Sequence, residues 1–312
     1  MATPDLTTMT ETLIRQEALP DSYFSTVRNV ILPLAQHIQS LRQDRRRPIL
    51  VGINGAQGTG KSTLTLFLQA LLSELYRVPT ASFSIDDLYL TRVQRERLAK
   101  EQHPLFVTRG VPGTHDLQLG QQLIARLTWA KADDITAIPL FDKSRDDRAP
   151  ESSWPVFYGR AEVVLIEGCC VGAQPEEGDA LLAPVNPLEE NEDAGGAWRG
   201  YVNRCLKSEY ASFFNQIDCL VMLKAPSMDS VLEWRTLQEH KLRSKTDDAP
   251  DQGTDGEAQP TRVMTDDQVA RFIMHYERIT RACLAEMPAR ADVLIRVDNN
   301  HNFSEPLINQ RQ

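Results

Sequence analysis

The sequence contains no apolar run of the length that a membrane-spanning helix needs, about 18 residues. Its N-terminal stretch also lacks a basic region followed by an apolar segment, the pattern of a secretory signal. Cysteine is sparse, odd in number and free of Cys-x-x-Cys spacing, at Cys169, Cys170, Cys205, Cys219 and Cys283. We therefore expect a cytoplasmic protein in a reducing compartment, with no membrane partner.

Basic residues are also fewer than acidic residues. Lysine and arginine total 34 against 43 aspartate and glutamate residues, which gives a formal net charge of −9. Proteins that grip phosphate backbones or anionic lipids without sequence specificity need a basic surface, so we expect no nucleic-acid partner. A short basic run, Arg45 to Arg47, is typical of cations at a helix C-terminus. An anionic ligand must therefore be bound by a local arrangement of residues.

Core-forming residues are plentiful, since 41% of the 312 residues are apolar, enough for one large or two modest domains. Apolar residues recur at three- and four-residue steps over 22–42, which predicts an amphipathic helix, kinked at Pro33, in an N-terminal helical flank of residues 1–47. Over 48–312, short β-branched runs alternate with helical segments, which predicts an α/β domain with a mainly parallel sheet. The expected strands are 49–53, 80–85, 135–138, 163–166, 219–223 and 293–297, and the expected helices follow Gly60 and cover 116–129, 198–214, 227–242 and 266–286.

Two stretches interrupt this alternation. Residues 172–196 are rich in glycine, proline and acidic residues, and residues 244–262 have no aromatic or large aliphatic side chain. A segment of the second kind buries too little surface to offset the entropy of ordering it. We expect 244–262 to be a mobile surface insertion.

The segment GINGAQGTGKST contains Gly55-x-x-x-x-Gly60-Lys61-Ser62, the phosphate-binding loop pattern. It follows a buried-type strand and opens a helix with an apolar face, as its mechanism requires. Glycines let backbone N–H groups approach a phosphate, Lys61 should reach the β- and γ-phosphates, and Ser62 should ligate Mg²⁺. The residues expected to bind ATP are Gly55, Ala56, Gln57, Gly58, Thr59, Gly60, Lys61, Ser62 and Thr63, the last at the α-phosphate.

Acidic residues end two of the expected strands. Glu167 closes the run VVLIE at the carboxyl edge, where open α/β sheets bind ligands, so it is a candidate second ligand of Mg²⁺. Asp86 and Asp87 end the strand 80–85. A carboxylate there could accept the proton of a hydroxyl that attacks the γ-phosphate, or it could cap a turn, and the residues alone leave both interpretations open.

Several segments, taken in order, resemble the plant-type D-glycerate 3-kinase family, a relative of uridine kinase, phosphoribulokinase and bacterial pantothenate kinase. The resemblance covers most of the chain, and its pieces are GINGAQGTGKSTL (52–64), SIDDLYLT (84–91), HPLFVTRGVPGTHD (103–116), IPLFDKS (138–144), DDRAP (146–150), VVLIEG (163–168), LEWRTLQEHKLR (232–243) and MTDDQVARFIMHYERI (264–279). It implies a three-layer P-loop NTPase fold with a mainly parallel five-stranded sheet and a helical lid, with lid and insertion at about 234–265. It also implies that the Glu167 strand, and not the strand after the phosphate loop, neighbours the phosphate-loop strand.

The resemblance implies roles for individual residues. Asp86 matches the carboxylate that activates the acceptor hydroxyl, and Glu167 matches the acid near Mg²⁺. The catalytic residues expected on this basis are Asp86, Lys61, Glu167 and Arg235. The residues expected to hold the acceptor are Asp86, Tyr89, Arg109, His115, Asp116, Lys143 and Arg148, while Arg243 joins Arg235 as a lid residue that binds the nucleotide.

The chain departs from the family pattern in its acceptor and lid elements. The loop between Lys143 and Arg148 is short and lacks the usual glycines, and Cys169 and Cys170 stand where relatives tend to carry tryptophan. We interpret these cysteines as small buried apolar residues rather than a redox pair. The differences concern the identity of the acceptor more than the ATP site.

The sequence thus predicts an ATP- and Mg²⁺-dependent kinase for a hydroxyl of a small hydroxy acid, foremost D-glycerate, giving 3-phosphoglycerate. The alternatives are a kinase for another small acceptor, such as a nucleoside, pantothenate or a sugar acid, and a nucleotide-dependent regulatory module. The motif of guanine-specific switches, Asn/Thr-Lys-x-Asp, does not occur, which argues against a switch of that kind. A monomer and a homodimer are both compatible with the pattern.

Overall fold

A computed structural model of the chain describes residues 5–247 and 264–309, with the backbone alone for 241–247. Most of the stretch 244–262 therefore lies outside the described residues. The α-helices are α1 (Leu6–Gln16), α2 (Tyr23–Thr26), α3 (Leu32–Arg45), α4 (Lys61–Ala70), α5 (Arg92–Glu101), α6 (Leu117–Trp129), α7 (Pro187–Glu192), α8 (Ala197–Cys205), α9 (Ala211–Phe214), α10 (Met228–Asp247) and α11 (Asp266–Glu286). π-helical turns at Val27–Ile31, Leu71–Leu75 and Leu206–Tyr210 extend these helices. Within the described ranges, none of the helices is both long enough and apolar enough to cross a bilayer.

The strands of the described chain are β1 (Ile49–Gly55), β2 (Thr80–Ser84), β3 (Ile135–Ala137), β4 (Phe141–Asp142), β5 (Asp147–Arg148), β6 (Val156–Tyr158), β7 (Val163–Gly168), β8 (Cys219–Lys224), β9 (Val293–Arg296) and β10 (Leu307–Ile308). The central sheet has the order β10-β9-β8-β1-β7-β2. Five of its strands run parallel, as predicted, and the two-residue β10 pairs antiparallel with β9 at the edge. The fold is thus a mixed α/β fold of the P-loop NTPase type.

The strand expected at 135–138 is not part of this sheet. β3 pairs instead with β6 in a separate antiparallel ribbon. Strands of a parallel sheet covered by helices are buried on both faces, whereas Ile135 is 62% exposed. The β-branched residues of this segment predicted a strand correctly but not its sheet.

The order of the strands brings the candidate site residues together at the carboxyl ends of the central strands. β1, which leads into the phosphate-binding loop, lies between β7 and β8, and β7 separates it from β2, as the family resemblance implies. In register, Glu167 lies beside Ile53 on one side and beside Ser84 on the other. The carboxyl ends of β1, β2 and β7 therefore meet at one place, where open α/β sheets bind ligands.

Helices cover both faces of the sheet, which gives three layers. Neighbouring residues of β1 point to opposite faces, so Leu50 packs in one core cluster and Val51 in the other. The Val51 cluster contains, fully buried, Ile31, Leu34, Ile38, Leu64, Phe67 and Leu68. The opposite cluster contains Phe106, Leu127, Tyr210 and Phe213. Burying each such side chain stabilises the fold by roughly 1.5–3 kcal/mol. The two clusters therefore hold the sheet, and with it the carboxyl ends of β1, β2 and β7, in place.

The helix expected over 22–42 starts at Tyr23, as α2, and runs through a π-helical turn into α3. Pro33 stands at the start of α3, directly after that turn. Because proline has no N–H to donate, a helix that continues through it must rearrange its preceding turn, and the wider π turn does so. The apolar stripe predicted this helix, and its buried residues join the core beside α4.

Elements with a weak apolar pattern were missed by the sequence interpretation. α5, of sequence RVQRERLAKE, buries Arg95 and begins at a capping box formed by Thr91 and Gln94. The hairpin of β4 and β5 has strands of two residues each. α7 lies inside the stretch 172–196, where Asn186 caps its first turn. These short elements depend on capping and tertiary contacts rather than on periodicity.

Candidate active site

The loop that joins β1 to α4 forms a tight cradle. Gly58 and Gly60 have φ angles of 80° and 87°, a left-handed conformation that glycine adopts without strain. Thr59 closes the turn by donating its hydroxyl to the Ala56 carbonyl at 2.8 Å. Lys61 folds back over the loop, and its Nζ donates to the same carbonyl at 3.0 Å. The loop thus ends at the N-terminus of a helix, where unpaired backbone N–H groups stabilise a phosphate.

Helix α10 and the loop after β9 pack directly on this cradle. A Cβ placed on Gly58 would lie 2.6 Å from the Cβ of Trp234 in α10. The His301 ring lies 4.3 Å from the Trp234 ring, and its Nε2 is 3.1 Å from the Gly58 carbonyl oxygen. Glycine at position 58 is therefore required both by its φ angle and by the close approach of α10.

The predicted magnesium ligands lie together. The Ser62 hydroxyl at the start of α4 donates to Oε1 of Glu167 at 2.9 Å, and Glu167 is buried at the end of β7. A hydroxyl and a carboxylate are the hard oxygen donors that Mg²⁺ takes, with waters and phosphates completing its shell. Across the described residues, no group of three or more His, Cys, Asp or Glu side chains forms a metal cage. The pair supplies two oxygen donors of the kind that Mg²⁺ takes.

Asp86 lies in the 3₁₀ turn Ile85–Leu88 that follows β2. Its Oδ1 accepts a hydrogen bond from the Tyr89 hydroxyl at 2.7 Å, and its Oδ2 accepts one from Lys143 Nζ at 2.7 Å. Burial by itself raises the pKa of Asp86, but the charge of Lys143 and these two hydrogen bonds outweigh it and lower the pKa to about 2. Asp86 is therefore a carboxylate at neutral pH.

Asp87 has the other role that the sequence left open. Its two oxygens accept hydrogen bonds from the backbone N–H groups of Ser84 at 3.3 Å and Phe141 at 3.2 Å. It completes the capping box of the turn that carries Asp86 and ties that turn to β4. Burial raises the pKa of Asp87 to about 6. Of the two adjacent carboxylates, one caps the turn and the other faces the cavity.

A cavity of roughly 480 Å³ joins these parts. The lining residues that were already site candidates from the sequence are Gln57, Gly58, Lys61, Ser62, Asp86, Tyr89, Arg109, Lys143, Glu167 and Arg235. Further lining residues, not expected from the sequence, are Gly168, Cys169, Gln238, Phe272 and Tyr276. The charged side chains in this lining are Lys61, Arg109, Lys143 and Arg235 against Asp86 and Glu167. A chain with a net charge of −9 thus lines this cavity with more cations than anions.

Comparison with known proteins gives the family. No family model matched the chain. The uncharacterized kinase mug58 of Schizosaccharomyces pombe is 31% identical over 262 residues, which cover 81% of this chain and 87% of the relative. The probable ATP-dependent kinase TDA10 of Saccharomyces cerevisiae is 26% identical, over 82% and 86% of the two chains. The structure of D-glycerate 3-kinase from Cryptococcus neoformans var. grubii superposes with a TM-score of 0.70 at 25% identity, covering 89% of this chain and 99% of that one.

The chain belongs to the plant-type D-glycerate 3-kinase family of P-loop kinases. It is therefore a P-loop phosphotransferase, and the members of this group take small-molecule substrates and use ATP.

The arginines of this kinase that line the cavity are held by acidic partners. Arg109 forms an ion pair with Asp146 in the β4–β5 turn, and its guanidinium lies 5.4 Å from the Phe141 ring centre. Arg235 forms an ion pair with Glu239, one turn further along α10. Both arginines line the cavity, and their roles toward a substrate stay predictions. Arg243 belongs to the part of α10 whose side chains lie outside the described residues.

The remaining acceptor candidates lie behind Tyr89 rather than in the lining of the kinase cavity. His115 is buried, stacks on the Tyr89 ring at 4.8 Å, and its Nδ1 is 2.6 Å from the Tyr210 hydroxyl. Arg148 donates to the Tyr89 carbonyl at 3.0 Å and to Asp116 at 3.3 Å, and Asp116 also caps α6. These residues support the wall that carries Tyr89, and a direct contact with the acceptor stays a prediction for them.

A second cavity, of roughly 580 Å³, opens at the ends of β8 and β9 and is lined among others by Lys224, Pro226, Asn299 and Phe303. The loop that forms it rests on the phosphate loop through His301 and through Phe303, whose ring lies close to Gly60. Asp298 shapes this loop by accepting hydrogen bonds from the backbone N–H groups of Asn300 and Asn302, each at 2.8 Å. The contacts of Asp298 are thus those of a residue that caps a loop.

Sequence reasoning missed the contribution of α11 to the site. Tyr276 donates its hydroxyl to the Arg109 carbonyl at 3.0 Å, and Phe272 lies one turn before it. Gly110 has a φ angle of 127°, and a Cβ there would overlap the Tyr276 hydroxyl. The glycine after Arg109 was the available signal, because it marks a backbone that another group approaches closely. It did not indicate which group that was.

Proposed function

We propose that this kinase transfers the γ-phosphoryl group of ATP, with Mg²⁺, to a hydroxyl of a small hydroxy acid, D-glycerate, giving 3-phosphoglycerate. The observation that carries this proposal is the single cavity in which the phosphate loop, the carboxylate of Asp86 and the cations Arg109 and Lys143 meet. These are the parts that a phosphoryl transfer to an anionic alcohol needs.

On the nucleotide side, the backbone donors of residues 58–63 would bind the phosphates, and Lys61 would stabilise charge on the γ-phosphoryl group. Ser62 and Glu167 would hold Mg²⁺, which supplies charge neutralisation for the phosphate oxygens. The loop after β9 and the cavity it lines, next to the phosphate loop, are our candidate for the site of the adenine base.

On the acceptor side, Asp86 would act as the general base. The alcohol oxygen forms its bond to the γ-phosphorus, the bond from that phosphorus to the β,γ-bridging oxygen breaks, and ADP leaves. The hydroxyl proton passes to Asp86, which is charged at neutral pH and held in place by Tyr89. Base catalysis of this kind contributes about 10²- to 10⁴-fold.

The acceptor's own charge is the reason for choosing a hydroxy acid. Arg109 presents a planar guanidinium that suits two carboxylate oxygens, and Lys143 adds a second cation on the same cavity. A neutral acceptor such as a nucleoside offers no anion to either cation, so each would stay on its protein partner, Asp146 or Asp86. The structural similarity to D-glycerate 3-kinase from Cryptococcus neoformans var. grubii supports the same choice.

The test is ADP release from ATP across a panel of D-glycerate, L-glycerate, pantothenate, a nucleoside and pentose phosphates, with the product read by phosphorus NMR. We expect D-glycerate to give the fastest turnover, with the phosphate on the 3-hydroxyl, and EDTA to abolish it until Mg²⁺ is restored. Turnover with another acceptor alone would keep the kinase but reassign Arg109 and Lys143. Slow ATP hydrolysis that no acceptor changes would favour the regulatory module instead.

A further inference from the structure

The two hydrogen-bond donors of Asp86 differ in their freedom to move. Tyr89 is 2% exposed, and its ring packs between His115 and Phe141 at ring-centre distances of 4.8 and 5.2 Å. Lys143 reaches Asp86 from the β4–β5 turn, and its side chain is 61% exposed. Packing fixes a buried ring, whereas exposed side chains change rotamer within nanoseconds. One donor of Asp86 is therefore fixed and the other exchangeable.

The exchangeable donor occupies the carboxylate oxygen that the fixed donor leaves open. Tyr89 takes Oδ1 of Asp86, and Lys143 Nζ takes Oδ2 at 2.7 Å. Lys143 also supplies the charge that keeps the pKa of Asp86 near 2 against the effect of burial. A base with so low a proton affinity removes a proton from an alcohol poorly. Without an acceptor, Asp86 is charged but blocked.

The other ionisable groups against Asp86 are His115 before α6, Asp87 and Tyr89 of its own segment, Tyr276 of α11 and Cys170 after β7. Burial lowers the pKa of His115 to about 4 and raises that of Asp87 to about 6, so at pH 7 the imidazole is neutral and the carboxyl negative. Burial raises the pKa values of both tyrosines, and a hydrogen bond with Cys169 raises that of the Cys170 thiol, so all three are neutral. Among these facing groups, the positive charge comes from Lys143.

A second cation beside Lys143 could bind the same anion. Arg109 lines the same cavity, and its charge opposes the protonation of Lys143, so the two side chains repel each other. The attraction of Lys143 to Asp86 outweighs this repulsion and raises the pKa of the lysine. A carboxylate between the two cations would relieve their repulsion and compete with Asp86 for the ammonium group.

We propose that Lys143 blocks Asp86 until the carboxylate of the acceptor draws the ammonium group away, so that the acceptor's own charge releases the catalytic base. This inference rests on the proposed function and adds to it a means of selection. Lys143 acts through Asp86 and is in this respect a positioning residue. Once Oδ2 is free, the acceptor hydroxyl gives its proton to it while the fixed bond from Tyr89 holds the carboxylate in place.

Two consequences follow for acceptors that carry no negative charge. Water leaves Lys143 on Asp86, so ATP hydrolysis without an acceptor is slow. Glycerol, which differs from glycerate by a neutral hydroxymethyl group in place of the carboxylate, also fails to release the base. The kinase would thus discriminate against water and glycerol in two ways. Its base would stay blocked by Lys143, and the contact between a carboxylate of the acceptor and the cations would be missing.

The first experiment compares Lys143→Gln with the wild type in turnover of D-glycerate, turnover of glycerol and ATP hydrolysis without acceptor. We expect the preference for D-glycerate over glycerol, as a ratio of kcat/KM values, to fall by about tenfold or more, and acceptor-free hydrolysis to rise several-fold. Arg145→Gln is the matched control, because Arg145 lies exposed in the same turn and does not line the cavity. It should leave all three rates unchanged.

The second experiment reads the base directly. The carboxyl carbon of Asp86, identified by the loss of its signal in Asp86→Asn, is followed by carbon NMR as the pH is lowered. In the free wild type it should stay charged well below the ordinary aspartate pKa of 3.8. In Lys143→Gln, and in the wild type with ADP and D-glycerate, its pKa should be higher. Lys143→Arg, which keeps the charge, should keep the low value.

The outcomes separate the two proposals. If the wild type turns over D-glycerate but Lys143→Gln changes neither the glycerol ratio nor the acceptor-free hydrolysis, the role of Lys143 is overturned and the kinase assignment stands. If the wild type does not use D-glycerate, the proposed function fails. An unchanged Asp86 pKa in Lys143→Gln overturns the role of Lys143 even then.

Discussion

The two halves of the cavity are built in different ways. The phosphate-binding part of the nucleotide half comes from one contiguous segment, 55–63, whose groups bond to each other. α10 packs on it so closely that Gly58 has no room for a side chain. The acceptor half takes Asp86, Arg109, Lys143 and Tyr276 from four distant segments. Its cations are paired with carboxylates that an acceptor could replace. The phosphate-binding loop is thus preformed, whereas under our proposal selection of the acceptor depends on exchangeable ion pairs.

The largest expected effect is on the acceptor half. Asp86→Asn removes the proposed base, and we expect turnover to fall by roughly 10²- to 10⁴-fold while ATP binding is kept. Turnover by rapid quench and nucleotide affinity by calorimetry measure the two separately. Asp87→Asn is the matched control, because Asp87 caps the turn and faces Ser84 and Phe141. Near-normal turnover in Asp86→Asn would remove Asp86 from the role of base.

A second change tests the cations of that half. Arg109→Met should raise KM for the acceptor by about 10- to 100-fold, because a desolvated charge contact is lost, and should leave KM for ATP unchanged. Steady-state kinetics with each substrate varied in turn distinguish the two constants. The exposed Arg97→Met, in an ion pair along α5, serves as control and should change neither. A rise in KM for ATP instead would place Arg109 on the nucleotide side.

A change in the nucleotide half should act on ATP alone. Gly58→Ala forces a Cβ to within 2.6 Å of Trp234 at a φ angle of 80°, and the left-handed conformation alone costs about 1–2 kcal/mol. We expect ATP affinity to fall about tenfold, measured by calorimetry, with KM for the acceptor little changed. Gly178→Ala is the control, since a Cβ there meets nothing within 4 Å. Equal effects of the two variants would argue against a preformed cradle.

The smallest effect expected concerns the fixed donor of Asp86. Tyr89→Phe removes one hydrogen bond worth about 1 kcal/mol, so turnover should fall about fivefold. That bond lowers the pKa of Asp86, so its loss raises this pKa, and activity should be lost at a higher pH as the solution is acidified. A pH profile of turnover measures this. A profile identical to that of the wild type would mean that Tyr89 does not tune Asp86.

Much of the site was predictable because its signals are local. The phosphate loop, the strand before it and the acid at the end of β7 each occupy a short segment whose pattern is set by backbone geometry and burial. The residue pattern alone could not decide between Asp86 and Asp87, because both follow the same strand, and only the family resemblance singled out Asp86. Their roles separate only when the β4–β5 hairpin brings a backbone N–H to Asp87 and Lys143 to Asp86.

The positions of other side chains could not be predicted for the same reason. His115 and Arg148 have side chains suited to an acceptor pocket, yet packing places them behind Tyr89. Phe272 and Tyr276 read as core positions of an amphipathic helix, yet α11 presents them to the cavity. Residue type predicts which chemistry a side chain offers, but its direction depends on how distant elements pack.

The sequence by itself determined that this chain folds as a P-loop kinase, because a glycine-rich turn after a buried strand and before an apolar-faced helix is a local arrangement of the backbone. Only the tertiary structure decided which side chains line the cavity beside the phosphate loop. Those residues are separated by tens of positions along the chain, and their approach depends on strand order and on helix packing across the sheet edge. Contacts of that range are not encoded in any one segment.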